Sequence, residues 1–265
     1  MLRKLKKIFN KGSKKEKYGW FGNYSNWEAA LDASTGYSAD NILEKTKQSL
    51  LKVKQGEAVY ERDSVLFDKK EYPFAVISCL LNIAVKNNNT LNLIDFGGSL
   101  GSTWFQVKDF IPDNVKVTWT IVEQEKYVEC GKQFFEDEKL KFAYSIEECL
   151  ETSMPSVVLL SGSVQYLSDP HSFLKQLASY SFDYLIFDRT AFVKNKEEDQ
   201  LTVQIVPPDI YSASYPSWFF NEKRFLNHFN DYKVVAEFVS FVEGETDIKI
   251  DGVPAGFDKG FFLKR

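Results

Sequence analysis

Leu91-Asn92-Leu93-Ile94-Asp95-Phe96-Gly97-Gly98-Ser99-Leu100-Gly101-Ser102 is the most informative stretch of this 265-residue chain. An apolar run closes on an acid, a glycine-rich turn follows, and Ser102 opens an amphipathic stretch. This is the order strand, turn, helix. Glycines let the backbone come close to a ligand, and an open helix N-terminus offers unpaired N–H groups to a carboxylate or phosphate. The turn is therefore expected to hold a ligand. Dinucleotide binding needs glycines two and five positions after the first, where this chain has Ser99 and Ser102 after Gly97. The nucleotide-triphosphate loop fails too, because no lysine follows.

Outward from this stretch, short apolar runs alternate with amphipathic ones after Asn87-Asn88-Asn89. That alternation predicts a doubly wound, Rossmann-like α/β domain with seven strands. They are placed at Leu91–Asp95, Val115–Val122, Leu140–Tyr144, Ser156–Leu160, Phe182–Phe187, Lys233–Val242 and Gly260–Leu263. Helices fill the gaps near Ser102–Phe110, Lys126–Phe135, Pro170–Tyr180 and Ser217–Phe229. Residues 19–88 read as an N-terminal helical cap, with helical spacing at Ile42, Leu43, Thr46, Leu50 and Leu51 and a second helix from Tyr72 to about Val85. The expected organisation is a basic segment 1–18, the cap 19–88, and a domain 89–265 whose insertion 189–231 is too long for a plain connection and covers the active site.

Composition narrows the class. With 44% hydrophobic residues the chain can fill a core, and no uninterrupted apolar run approaches the roughly 18 residues that span a bilayer. Lys6, Lys7, Asn10 and Lys11 break any apolar core of a signal peptide, so the expected compartment is the cytoplasm. Three scattered cysteines and two histidines speak against a metal site. Up to Lys17 eight basic residues face only Glu16, while the remainder is acidic enough to leave the chain at a net −4. An acidic body argues against nucleic acid. In residues 1–17, Leu2, Leu5, Ile8 and Phe9 fall at helical spacing among lysines, which fits either a solubilising tail or a helix resting on the anionic inner membrane surface.

The segment Asp95-Phe96-Gly97-Gly98-Ser99-Leu100-Gly101 resembles the turn of class I S-adenosylmethionine-dependent methyltransferases, where an acid precedes the first glycine. An acid there suits a cationic amine and repels a pyrophosphate. The second strand ends in Val122-Glu123-Gln124, and a carboxylate at such a strand end accepts ribose hydroxyls. The chain also resembles a methyltransferase group encoded among bacterial surface-polysaccharide (O-antigen and capsule) genes. The matching segments are Trp20–Tyr24 with Trp27, Gly56–Ser64, the glycine turn, Ser163–Leu167, Asp188-Arg189-Thr190, Val206–Tyr211 and Ser214–Trp218. The resemblance implies S-adenosylmethionine as cofactor and a glycan, nucleotide-sugar or lipid-linked sugar as acceptor.

Ligands of open α/β sheets lie outside the carboxyl ends of the strands, which gathers Asp95, Glu123, the loop 161–165 and Asp188 around one crevice. Methylating a hydroxyl needs a base, and Asp188 and His171 are the candidates; a helix cap or first-turn role competes for each. His228 reads as structural. Cofactor contacts are expected from Asp95, Gly97, Gly98, Ser99, Gly101, Glu123, Gln124, Ser163, Gln165 and Arg62. Acceptor contacts are expected from Arg189, Tyr211, Tyr215 and Trp218, with ion pairing and loop packing as the competing roles. The rival readings are a nicotinamide-dependent oxidoreductase on nucleotide sugars and a non-catalytic scaffold.

Overall fold

A computed structural model describes residues 18–35, 39–152 and 154–265. The membrane contact expected of residues 1–17 lies outside the described residues. In chain order the strands are β1 (Gly19–Tyr24), β2 (Tyr60–Arg62), β3 (Val65–Phe67), β4 (Thr90–Phe96), β5 (Lys116–Val122), β6 (Leu140–Ala143), β7 (Val157–Ser161), β8 (Tyr184–Val193), β9 (Gln200–Ile205), β10 (Ser214–Phe219), β11 (Lys233–Val239), β12 (Ile248–Ile250) and β13 (Val253–Lys264). The helices are α1 (Trp27–Asp32), α2 (Ala39–Lys54), α3 (Phe74–Lys86), α4 (Ser102–Val107), α5 (Glu125–Phe134), α6 (Ile146–Thr152), α7 (Pro170–Ser179) and α8 (Glu222–Leu226).

Period-two alternation along the strands builds two cores. Leu93, Val157, Leu159 and Ile186 point to one face, where Leu50, Leu80, Trp104 and Val128 bring in α2, α3, α4 and α5. Ile94, Val158, Leu160 and Phe187 point to the other, where Cys149, Leu174 and Phe225 bring in α6, α7 and α8. Strands buried on both faces read as continuous apolar runs, which is why Val157–Leu160 shows no polar alternation.

The sheet has eleven strands in the order β10-β9-β1-β12-β13-β8-β7-β4-β5-β6, with β11 also paired to β13. From β6 to β8 all neighbours are parallel, and β13 runs antiparallel to β8 and β11. The chain leaves β4 for β5 and β6 on one side, then returns to β7 and β8 on the other. A crevice opens at such a reversal, beyond the carboxyl ends of β4 and β7.

Three expectations are corrected. The seven predicted strands all form, but the sheet is larger because the long β13 continues past β8 and pairs with β12, extending the sheet to β1, β9 and β10. Residues 19–88 are not a purely helical cap: β1 joins the main sheet and β2–β3 forms a separate hairpin. Within 189–231, β8 continues to Val193 and β9 pairs with β10; the helix expected from Ser217 begins only at Glu222, because Ser214–Phe219 is a strand.

Candidate active site

Asp95 ends β4 beneath the glycine turn and is 1% exposed. Its Oδ2 accepts a hydrogen bond from Trp119 Nε1 at 3.0 Å. Burial pushes its carboxyl up to about 7, although the Trp119 bond works the other way. Gly97 at φ +72° turns the chain, and a Cβ there would stand 2.6 Å from Ser163 Cβ. Gly101 caps α4 with φ +106°. Ser99 also holds a positive φ, +55°.

Glu123 follows β5, and its Oε2 accepts the Gln124 N–H at 2.8 Å. Burial raises its pKa. After β7, Ser161 Oγ donates to Asp188 Oδ2 at 2.7 Å across the parallel strand pair. Asp188 is 3% exposed, and burial pushes it up to about 6 against the pull of Arg189. Ser163 Oγ is a buried atom with no hydrogen-bond partner among the described residues.

Asp95, Gly97, Glu123, Ser161, Ser163 and Asp188 line one cavity of about 770 Å³ together with Gly98, Ser99, Gln124, Arg62, Arg189, Tyr211 and Tyr215. The volume falls in the range of roughly 300–1,000 Å³ common to small-molecule sites. Both guanidiniums already hold carboxylates. Arg189 Nε and Nη2 grip Glu245 at 3.0–3.3 Å, and Arg62 Nη1 meets Glu71 at 3.2 Å while its fork lies over the Phe67 ring. The Tyr211 and Tyr215 hydroxyls are 3.1 Å apart, and Tyr215 meets Tyr166 edge to face.

Four expected contacts are not among the residues that line the cavity. His171 is bound elsewhere: its Nδ1 shares a proton with His228 Nε2 at 2.7 Å and its Nε2 lies 2.6 Å from Asp199 Oδ2. Trp218 donates from Nε1 to the Leu167 carbonyl at 3.1 Å and, partly buried, packs against the core. Gln165 donates to the Arg189 carbonyl at 3.0 Å and so braces the loop that carries Ser163. Gly101 shapes the turn from behind, against Leu140 and Ile121.

Glu61, Asp63 and Tyr166, which are not among the expected contacts, also line the cavity. Glu61 is 1% exposed; it accepts the Ser64 N–H at 2.6 Å and the Ser102 hydroxyl. Its signal was present only in the matching segment Gly56–Ser64, since a glutamate inside Tyr60-Glu61-Arg62-Asp63 otherwise reads as an exposed turn.

Among the described residues, no three or more His, Cys, Asp or Glu side chains are placed to hold a metal ion, and no helix is long and apolar enough to cross a membrane. No family model and no curated protein matches the chain. Among solved structures it is similar to an S-adenosylmethionine-dependent methyltransferase from Clostridium acetobutylicum, at 9% identity over 71% of this chain and 89% of that one, TM-score 0.43. It is similar to the N-terminal domain of EvdMO1, determined in the presence of SAH and D-fucose, at 10% identity over 86% and 97%, TM-score 0.46. It is also similar to an amino pentose methyltransferase from Micromonospora echinaspora, at 10% identity over 74% and 92%, TM-score 0.42.

Proposed function

We propose that this chain is an S-adenosylmethionine-dependent methyltransferase that methylates a hydroxyl of a sugar or sugar-linked acceptor during bacterial capsule or lipopolysaccharide assembly, acting in the cytoplasm. The observation that carries the reading is the meeting of Asp95, Glu123, Asp188 and the glycine turn on one cavity at the reversal of strand order. The glycan part rests on the sequence resemblance.

The residues fit the cofactor. Ser163 and Asp95 close against Gly97 and Gly98 so tightly that neither position has room for a Cβ, and both glycines line the cavity. Glu123 supplies a carboxylate for ribose hydroxyls, Ser163 Oγ an unused donor, and Asp95 an acid suited to an amine. The bound cofactor supplies a methyl group on a sulfonium centre.

Asp188 serves as the base. Raised to about 6, it is mostly ionised at neutral pH yet basic enough to take a proton from an acceptor hydroxyl as the new bond forms. Ser161 holds the carboxyl in place through its hydroxyl. Tyr166, Tyr211 and Tyr215 offer rings to a sugar, with the Tyr166 hydroxyl bonded to Gln204 and those of Tyr211 and Tyr215 to each other. Arg62 and Arg189, each engaged with a carboxylate, brace the walls instead of offering a free fork to a phosphate.

A nicotinamide cofactor fits poorly, because the Asp95 carboxyl lies against the turn where a pyrophosphate would need positive potential. The glycan reading is tested by mass spectrometry of the surface glycan with and without this protein. Loss of one CH₂ increment is expected, and an unchanged glycan overturns the assignment of a surface-glycan acceptor.

A further inference from the structure

The carboxyl groups that line the cavity are Glu61, Asp63, Asp95, Glu123 and Asp188, and two of its arginines are engaged from outside it. Glu71 and Glu245 each hold an arginine, and Asp63 lies 3.8–4.0 Å from both Arg189 and Arg62. Asp95 and Glu61 have no ion-pair partner among the described residues. Each is 1% exposed, and their hydrogen bonds come from neutral donors: Trp119 for Asp95, Ser64 and Ser102 for Glu61. Burial dominates and pushes both groups up to about 7: Arg62 pulls Glu61 down only weakly and Asp63 opposes it, while Glu123 works against ionisation of Asp95. A packing contact of Asp95 and a hydrogen bond of Glu61 bring the two to opposite ends of one turn. Asp95 lies under Gly98, at the start of the glycine turn, and Glu61 is tied to Ser102, just past its end. The hairpin β2–β3 thus lays its carboxyl beside a turn whose other acid comes from β4.

We infer that Glu61 and Asp95 bracket the glycine turn to hold an ammonium group between them, and that Glu61 is a cofactor-selecting residue that recognises the α-amino group of S-adenosylmethionine. This rests on the methyltransferase reading and adds to it a contact from outside the strand-end acids. A cation arriving between two such groups relieves the cost of their burial and stabilises their ionised forms. Binding then expels protons at a pH near the carboxyl pKa values, and affinity is higher at pH 8 than at pH 6.

The test is calorimetry of the full chain with two probes: S-adenosylhomocysteine, and 5′-methylthioadenosine, which keeps the nucleoside and thioether but lacks the amino acid. With the wild-type protein at about pH 6.5, in buffers of different ionisation enthalpy, the first probe releases protons and the second releases none. Glu61→Gln weakens the first probe by about 10- to 100-fold, leaves the second within about twofold, and reduces the proton release. Equal weakening of both probes, or no weakening, overturns the inference, as does equal proton release by both in the wild type. That last comparison needs no variant, so it can overturn the inference even if Glu61→Gln does not fold, and Glu61→Ala supplies a second variant for the assignment to Glu61. Failure of the methyltransferase reading looks different: the wild-type protein then binds neither probe.

Discussion

The carboxyl of Asp95 fills the space where a side chain at Gly98 would begin: a Cβ built there stands 2.6 Å from Asp95 Cγ and 2.7 Å from Oδ2. Strand end and turn are therefore one unit, with Trp119 fixing the carboxyl from the neighbouring strand. Gly98→Ala forces that carboxyl off Trp119. The expected result is a loss of about 1–3 kcal/mol in stability, with binding of S-adenosylhomocysteine at least about tenfold weaker. Urea denaturation and calorimetry measure the two effects. A variant with unchanged values of both would separate the turn from the acid.

Glu123 stands at the carboxyl end of the strand next to β4, held by the Gln124 N–H. Replacing it with alanine removes a charged acceptor from the proposed ribose contact. Affinity for S-adenosylhomocysteine is expected to fall by about 10- to 100-fold, a loss of about 1.5–3 kcal/mol, with the fold kept. Calorimetry alongside circular dichroism checks this, and an unchanged dissociation constant in a folded variant removes Glu123 from the site.

Asp188 and His171 separate cleanly in the structure. Asp188→Asn is expected to lower turnover at least about 100-fold while cofactor affinity stays within about threefold. In the wild type, turnover should fall as pH drops through about 6, where Asp188 takes up its proton. His171→Ala breaks the contacts to His228 and Asp199 and should cost about 1–3 kcal/mol of stability with turnover within about threefold. An inactive His171 variant beside a normal Asp188 variant reverses the assignment.

Stability carries its own pH signature. Asp95 and Glu61 stand near 7 in the folded protein, well above the value of about 4 for an unfolded carboxyl. Between these limits the native state binds more protons than the unfolded one, so stability falls as pH rises through the window. His228, lowered by burial, acts in the opposite sense below about pH 6.5, so the comparison belongs above that value. The ligand-free protein is expected to melt higher at about pH 6.5 than at pH 8, and Asp95→Asn should flatten the difference. A wild-type protein that melts higher at pH 8 contradicts the burial of these groups.

What the sequence made legible, and what it hid, follows from the packing. From Leu91 onward, β7 and β8 announce themselves because strands buried on both faces need unbroken apolar runs, β5 by alternation, and the mostly exposed β11 by its β-branched valines. β1 hides because Gly19 and Gly22 interrupt it, and its register with β9 shifts between Phe21 and Tyr24. β10 hides because Pro216 and Trp218 make Ser214–Phe219 read as a turn and then a helix. β9 buries Gln200 and Thr202, whose polarity breaks the expected pattern; their side chains bond the Gly22 and Ser217 carbonyls. At the site, the turn and the strand-end acids are local in sequence and were readable. The roles of Arg62 and Arg189 were not, because the carboxylates that engage them come from other segments: Glu71, and above all Glu245, 56 positions from Arg189. His171 was ambiguous for the same reason, since its partners Asp199 and His228 are brought together only by tertiary structure.

On the proposed function, the acid-backed glycine turn accepts a sulfonium nucleoside and refuses a dinucleotide. Isothermal titration of the full chain with S-adenosylmethionine, S-adenosylhomocysteine and NAD tests it most directly. Saturable binding of the two adenosyl compounds and none of NAD is expected. Saturable NAD binding without binding of either adenosyl compound would contradict it.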